Sequence, residues 1–125
     1  MNLIGDILES FSREMILKEF RVALLSYFKK TIQVCSSELN KRSINTNELL
    51  LDTVSRVQGE TRDVCIYFIP HDTYSYSCER QLFNVATSRA RMYTIIVSEK
   101  DILNRISDKK VIQYFNMIKY SRELD

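Results

Sequence analysis

Two stretches of the 125-residue chain hold side chains whose types and spacing could do chemistry. The first is Leu82-Phe83-Asn84-Val85-Ala86-Thr87-Ser88-Arg89-Ala90-Arg91. Leu82, Val85 and Ala86 recur at helical spacing, and Arg89 and Arg91 come as the chain leaves that helix for a strand. A guanidinium fixed at such a junction can grip a phosphate through two parallel N–H donors. Surface arginines at a helix carboxyl end, where the dipole favours cations, have the same signature. The second stretch is Asp52-Thr53-Val54-Ser55-Arg56-Val57-Gln58-Gly59-Glu60-Thr61-Arg62-Asp63-Val64. It sets hydroxyls and a Gln58-Gly59 turn after one strand and leads into the next. Ligands of parallel α/β sheets sit outside the carboxyl ends of strands, and Gly59 has the backbone freedom to approach a phosphate closely. An ordinary connection with a glycine turn would read alike, so residue types by themselves leave both readings of both stretches open.

Other groups say less. Residues 21–42 carry Arg21, Lys29, Lys30, Lys41 and Arg42 against Glu38, while the whole chain is only +2. That segment is either a phosphate-facing patch or a solvated helix face. Three cysteines, Cys35, Cys65 and Cys78, form no Cys-x-x-Cys pair, so neither a disulfide framework nor a metal site is expected. Cys65 lies in an apolar run and reads as a small core residue. His71 is the one histidine and has no nucleophile motif near it. Tyr67, Tyr74 and Tyr76 could stack bases, but Tyr67 reads as sheet-packed and the other two as loop residues.

The elements that must position these residues follow from periodicity. Residues 3–18 read as an amphipathic helix, with Ile4, Ile7, Leu8, Phe11 and Met15 on one face. Val22-Ala23-Leu24-Leu25 is too short for a helix and reads as a buried strand. Phe28, Ile32, Cys35 and Leu39 mark a helix over about 28–40, and residues 40–47 a polar loop. Strands are expected at Leu49 to Val54, at Val64 to Ile69 (ended by Pro70), and at Tyr93 to Val97. Between them come a polar loop at 71–78 and a short helix at 79–88. A last helix is expected at 108–121. Short apolar strands without alternation, separated by helices, predict an α/β fold: a three-layer parallel sheet of about four strands with helices on both faces. Composition agrees with a packed domain, at 45% hydrophobic and 27% charged with two Gly and one Pro.

With these elements in order, Gln58-Gly59 followed by Asp63-Val64, and then Asn84-Val85-Ala86-Thr87-Ser88-Arg89-Ala90-Arg91, resemble motifs V and VI of superfamily 1 helicases. The branch of RecD and the RNA-decay helicases is nearer than the UvrD/Rep branch. Val22 to Tyr27 resembles the strand and turn of motif IV, and the likeness covers about residues 20–100. It implies the RecA-like fold of P-loop NTPases. In that family the Arg of the Ser/Thr-Arg-Ala triplet reaches the γ-phosphate across the cleft between two RecA-like domains, and Arg89 matches it. Motif V links nucleotide to nucleic acid. The resemblance implies nucleotide contacts at Gln58, Gly59 and Glu60 and nucleic-acid contacts at Thr53 and Ser55, beside Lys29 and Lys30 of the basic segment. Many relatives carry Glu two residues after the Gly; Thr61 stands there in this chain, and Glu60 comes one position earlier.

The sequence contains no Gly-x-x-x-x-Gly-Lys-Ser/Thr, its glycines being Gly5 and Gly59, and no strand ends in an Asp-Glu pair for magnesium. The expectation is therefore a single partial domain over residues 1–125, the C-terminal portion of a helicase's second RecA-like domain. It would supply an arginine finger but be inactive alone. ATP and Mg2+ are expected only in the complete helicase, with none bound by this chain alone. DNA or RNA and a first RecA-like domain, in cis or in trans, are the expected partners. The alternative is a stand-alone, non-enzymatic module that binds nucleic acid or protein. No apolar stretch approaches the roughly 18 residues of a membrane span, and free thiols suit a reducing, cytoplasmic setting.

Overall fold

A computed structural model describes residues 2–14, 16–44, 49–56, 61–70, 73–99 and 101–118. Its centre is β1 (Val22–Ser26), whose five residues are all buried. An apolar run with no polar alternation has no face to give to water, so it takes an inner position between two strands. β2 (Leu49–Thr53) and β3 (Arg62–Phe68) flank it, and β4 (Ala90–Val97) pairs with β3, giving the order β2-β1-β3-β4 with every pair parallel. Val22 lies opposite Leu49 on one side and Val64 on the other.

Successive side chains of a strand point to opposite faces, and the core divides accordingly. Val22, Leu24, Val64 and Ile66 pack with Ile4, Leu8, Cys35 and Leu39, from α1 (Asn2–Arg13) and α3 (Lys29–Lys41). A short α2 (Ile16–Glu19) follows α1. Ala23, Leu25, Cys65 and Tyr67 pack on the other face with Tyr74, Phe83, Ala86, Ile102 and Val111. Those come from α4 (Tyr74–Ser77), α5 (Arg80–Thr87), α6 (Ile102–Arg105) and α7 (Lys109–Asn116). The result is a three-layer α/β fold, as the apolar runs predict.

Several boundaries differ from expectation, among them the start of β3, at Arg62 rather than Val64, and the end of α7, at Asn116 rather than 121. The first helix breaks into α1 and α2. Residues 71–78 are not all loop, because Tyr74 is drawn into the core and winds α4. β4 begins at Ala90 rather than Tyr93, because its exposed start still pairs with β3. α6 was not expected, and buried Ile102 pins it. The basic segment of residues 21–42 is not one patch either. Lys29 and Lys30 open α3, while Lys41 and Arg42 lie at its other end, roughly 20 Å away at 1.5 Å per residue. Arg42 is held there by Asp6 (2.7 Å), Glu9 (3.0 Å) and Glu38 (3.1 Å). Its guanidinium lies over Gly5, where an added Cβ would sit 2.5 Å from Cζ.

Candidate functional site

The singled-out residues fall on two opposite edges of the sheet. α5 sets up the first. Its N-terminus is capped by the Glu79 carboxylate, which accepts from the Gln81 and Leu82 amides at 3.1 Å each. At its other end hydroxyls close on the last carbonyls, with Thr87 Oγ1 donating to Phe83 O (2.7 Å) and Ser88 Oγ to Val85 O (3.2 Å). The helix stops there, and Arg89 occupies the turn into β4.

Arg89 therefore sits at the amino edge of the sheet, half-buried. Its Nη2 donates to Ser88 Oγ at 3.2 Å. Its Nε is buried and meets no hydrogen-bond partner among the described residues. A buried donor left unsatisfied is costly unless a ligand completes it. Arg62 opens β3 beside it, its amide donating to Arg89 O at 2.9 Å. Both guanidiniums act on Cys65: burial pushes that thiol up to about 11, while the two positive charges pull it down. Arg91, two residues on, is largely exposed and reaches toward Asp63 at 3.9 Å. The Asp63 carboxylate also accepts from the Arg21 amide at 2.8 Å, so it ties the starts of β1 and β3 together. Arg62 carries no motif signal of its own in the sequence; what marks it is its place at the head of an apolar strand, the edge to which α5 delivers Arg89.

The opposite, carboxyl edge gathers Thr53, Ser55, Lys29 and Lys30. Ser26 lies opposite Thr53 across the β1–β2 pair, and its hydroxyl donates to Phe68 O at 2.9 Å, clamping β1 to β3. Thr53 is buried, with its hydroxyl 3.4 Å from that of Ser55. Ser55 is exposed in a 3-10 turn (Val54–Arg56), and Lys29 and Lys30 are exposed in the first turn of α3. Gln58, Gly59 and Glu60 lie outside the described residues, as does His71.

Of the three tyrosines considered for stacking, two belong to the core. Tyr67 is fully buried, and its hydroxyl donates to Ser77 O at 2.6 Å. Tyr74 is buried, its hydroxyl 3.4 Å from Asp101 Oδ1. Tyr76 is exposed and meets Tyr27 and Phe28 in a cluster the sequence reading did not anticipate. Among the described residues no group of three His, Cys, Asp or Glu could hold a metal ion, and no helix is long and apolar enough to cross a membrane.

No protein-family model matches the sequence, and no curated protein does. Among solved structures the chain is similar to the C-terminal domain of a possible DNA helicase from Lactobacillus plantarum WCFS1. The two share 18% identity over 88% of this chain and 74% of that one, with a TM-score of 0.61. The likeness is one of fold: a four-stranded, all-parallel sheet with helices around it in a RecA-like arrangement.

Proposed function

We propose that this chain is the C-terminal half-site of an ATP-dependent nucleic-acid helicase or translocase, of the superfamily 1 type its motifs resemble. One observation carries the reading. Arg62 and Arg89 stand at the amino ends of β3 and β4, and Thr53, Ser55, Lys29 and Lys30 at the carboxyl ends of β2 and β1, on opposite edges of one sheet. Thr53 ends β2 at the carboxyl edge, Arg62 begins β3 at the amino edge, and residues 54–61 run between. β3 has seven residues, so the edges lie about 20 Å apart. In this reading the carboxyl edge, with Ser55, Lys29, Lys30 and Thr53, meets a DNA or RNA strand. The amino edge presents Arg89 to ATP held by a first RecA-like domain, and Gln58, Gly59 and Glu60 are proposed as nucleotide contacts from the motif resemblance.

Arg89 has the chemistry for that task. Its planar guanidinium offers parallel donors to the oxygens of a transferring phosphoryl group. Charge grows on those oxygens as transfer proceeds, so a donor aimed there in advance lowers the barrier. ATP and magnesium would be held by the partner domain, because the phosphate-cradling loop and the magnesium carboxylates are absent from this sequence.

The test is reconstitution. This chain alone is expected to show no ATP hydrolysis above background. Fused to, or mixed with, a first RecA-like domain that carries the phosphate loop, it is expected to give hydrolysis stimulated by single-stranded nucleic acid. Turnover on the order of 1 per second by the chain alone, or no stimulation in any fusion that binds ATP, would remove the half-site reading and leave a binding module.

A further inference from the structure

We propose that Tyr27, Phe28 and Tyr76 form a base-stacking platform for a single-stranded nucleic acid, with Lys29 and Lys30 gripping the phosphates beside it. The proposal rests on the reading that the carboxyl edge meets a nucleic-acid strand, and it adds how the strand is held. Tyr27 and Phe28 follow β1 directly, and Tyr76 comes from α4 in a separate connection. Their ring centroids lie 4.6 Å (Tyr27–Phe28), 5.3 Å (Tyr27–Tyr76) and 5.5 Å (Phe28–Tyr76) apart. Phe28 is 39% exposed and Tyr76 51%, so ring surface faces solvent and not the core. Single exposed aromatics are ordinary. Three that converge from two connections are not accounted for by the core, whose two clusters include none of them.

Topology puts this cluster where α/β sheets bind ligands. α3, which follows β1, packs on one face of the sheet, and α5, which follows β3, packs on the other. β1 and β3 are neighbours, so the chain diverges between them and leaves a crevice at their carboxyl ends. Tyr27 and Phe28 reach this edge from the connection after β1 and Tyr76 from the connection after β3, and their rings meet there.

Charge identifies the occupant. Lys29 and Lys30 are exposed immediately after the rings, and no acidic residue shares their helical turn. An apolar partner surface would use the rings and leave the ammonium groups idle. A duplex keeps its bases stacked on one another and offers none to a ring. A single strand uses both, since each base has a π face and each nucleotide a phosphate.

The experiment uses the full chain and fluorescence anisotropy of labelled strands of roughly 12 nucleotides at about 50 mM salt. The strands are oligo(dT), oligo(U) and an abasic deoxyribose-phosphate strand of equal length. Wild type is expected to bind a base-bearing strand about tenfold more tightly than the abasic one. The ratio of oligo(dT) to oligo(U) says which sugar the platform takes. Phe28→Leu and Tyr76→Leu, which keep apolar bulk without a ring, should each weaken base-bearing strands by about tenfold and leave the salt dependence unchanged. Lys29→Glu with Lys30→Glu should weaken all strands and flatten the salt slope by about 0.7 per lost phosphate contact. Equal affinity for abasic and base-bearing strands, wild-type affinity of both leucine variants, or no binding of any strand into the millimolar range overturns the platform. If the lysine reversals abolish binding while the leucine variants leave it intact, the nucleic-acid edge stands and the platform falls. If the reversals also change nothing, the nucleic-acid reading of this edge falls with it.

Discussion

At the scale of single residues, Arg89 and Arg91 differ in surroundings although they stand two positions apart. They share charge and neighbourhood, but Arg89 sits in the turn with a buried Nε that meets no partner among the described residues, while Arg91 is already in β4 and reaches toward Asp63. In a reconstituted helicase, Arg89→Ala is expected to lower ATP turnover by about 10³-fold, the scale of an arginine finger. Arg89→Lys should recover little, because an ammonium cannot reproduce a planar fork. Arg91→Ala should act far less. Steady-state hydrolysis with a thermal-melt control measures all three; equal losses at both positions would strip Arg89 of the role. Tyr67 gives a stability counterpart. Its hydroxyl satisfies the carbonyl of Ser77, which is itself fully buried. Tyr67→Phe leaves that carbonyl without its donor and should cost about 1–3 kcal/mol in urea unfolding. An unchanged midpoint would mean that this hydrogen bond does not hold α4.

At the scale of elements, α7 has its own acid sensitivity. Asp108 caps it, accepting from the Lys110 amide (2.9 Å) and the Val111 amide (3.3 Å), and pairs with Arg80 of α5 at 3.1 Å. Partial burial raises the Asp108 carboxyl, but the Val111 amide, the Arg80 guanidinium and the Lys110 amide outweigh it and hold it below its ordinary value. A lowered folded-state pKa means stability that is present above the unfolded value, near 4, and lost as pH falls through the folded one. The urea midpoint is therefore expected to fall as pH drops below about 4. Asp108→Asn, which retains a capping oxygen but no charge, should lose the Arg80 pair at neutral pH and show a flatter acid limb. An acid limb identical to wild type would assign that sensitivity to other carboxylates.

At the scale of the whole molecule, the two packed faces enclose all three thiols. Cys35 lies on the α1–α3 side and Cys65 and Cys78 on the α5–α7 side, each pushed by burial up to about 11. Near neutral pH almost no thiolate is present, and none is at the surface. Modification by a thiol-disulfide reagent is expected to proceed in one slow phase for all three, following global unfolding. A fast phase at one cysteine in the native protein would show that its layer opens alone.

How much was legible from sequence differs between the fold and the site. The apolar runs at Val22–Leu25 and Val64–Ile69 fix inner parallel strands, because a segment buried on both faces cannot alternate. The spacing of Ile32, Cys35 and Leu39 fixes the buried stripe of α3. The junction at Arg89 was legible too, since a helix must end between the Leu82–Ala86 face and the next strand. Tertiary structure decided which of these residues meet. The order β2-β1-β3-β4 sends Thr53 and Arg62 to opposite edges and brings Tyr76 to Tyr27 and Phe28. It also draws Tyr74 inward and so makes α4 from a polar stretch. Arg42 looked like a companion of Lys29 and Lys30 until α1 supplied Asp6 and Glu9 to hold it. Local periodicity reports which face of a segment is buried. Contacts between segments distant in the chain depend on strand order, and the spacing of residues along a segment does not encode it.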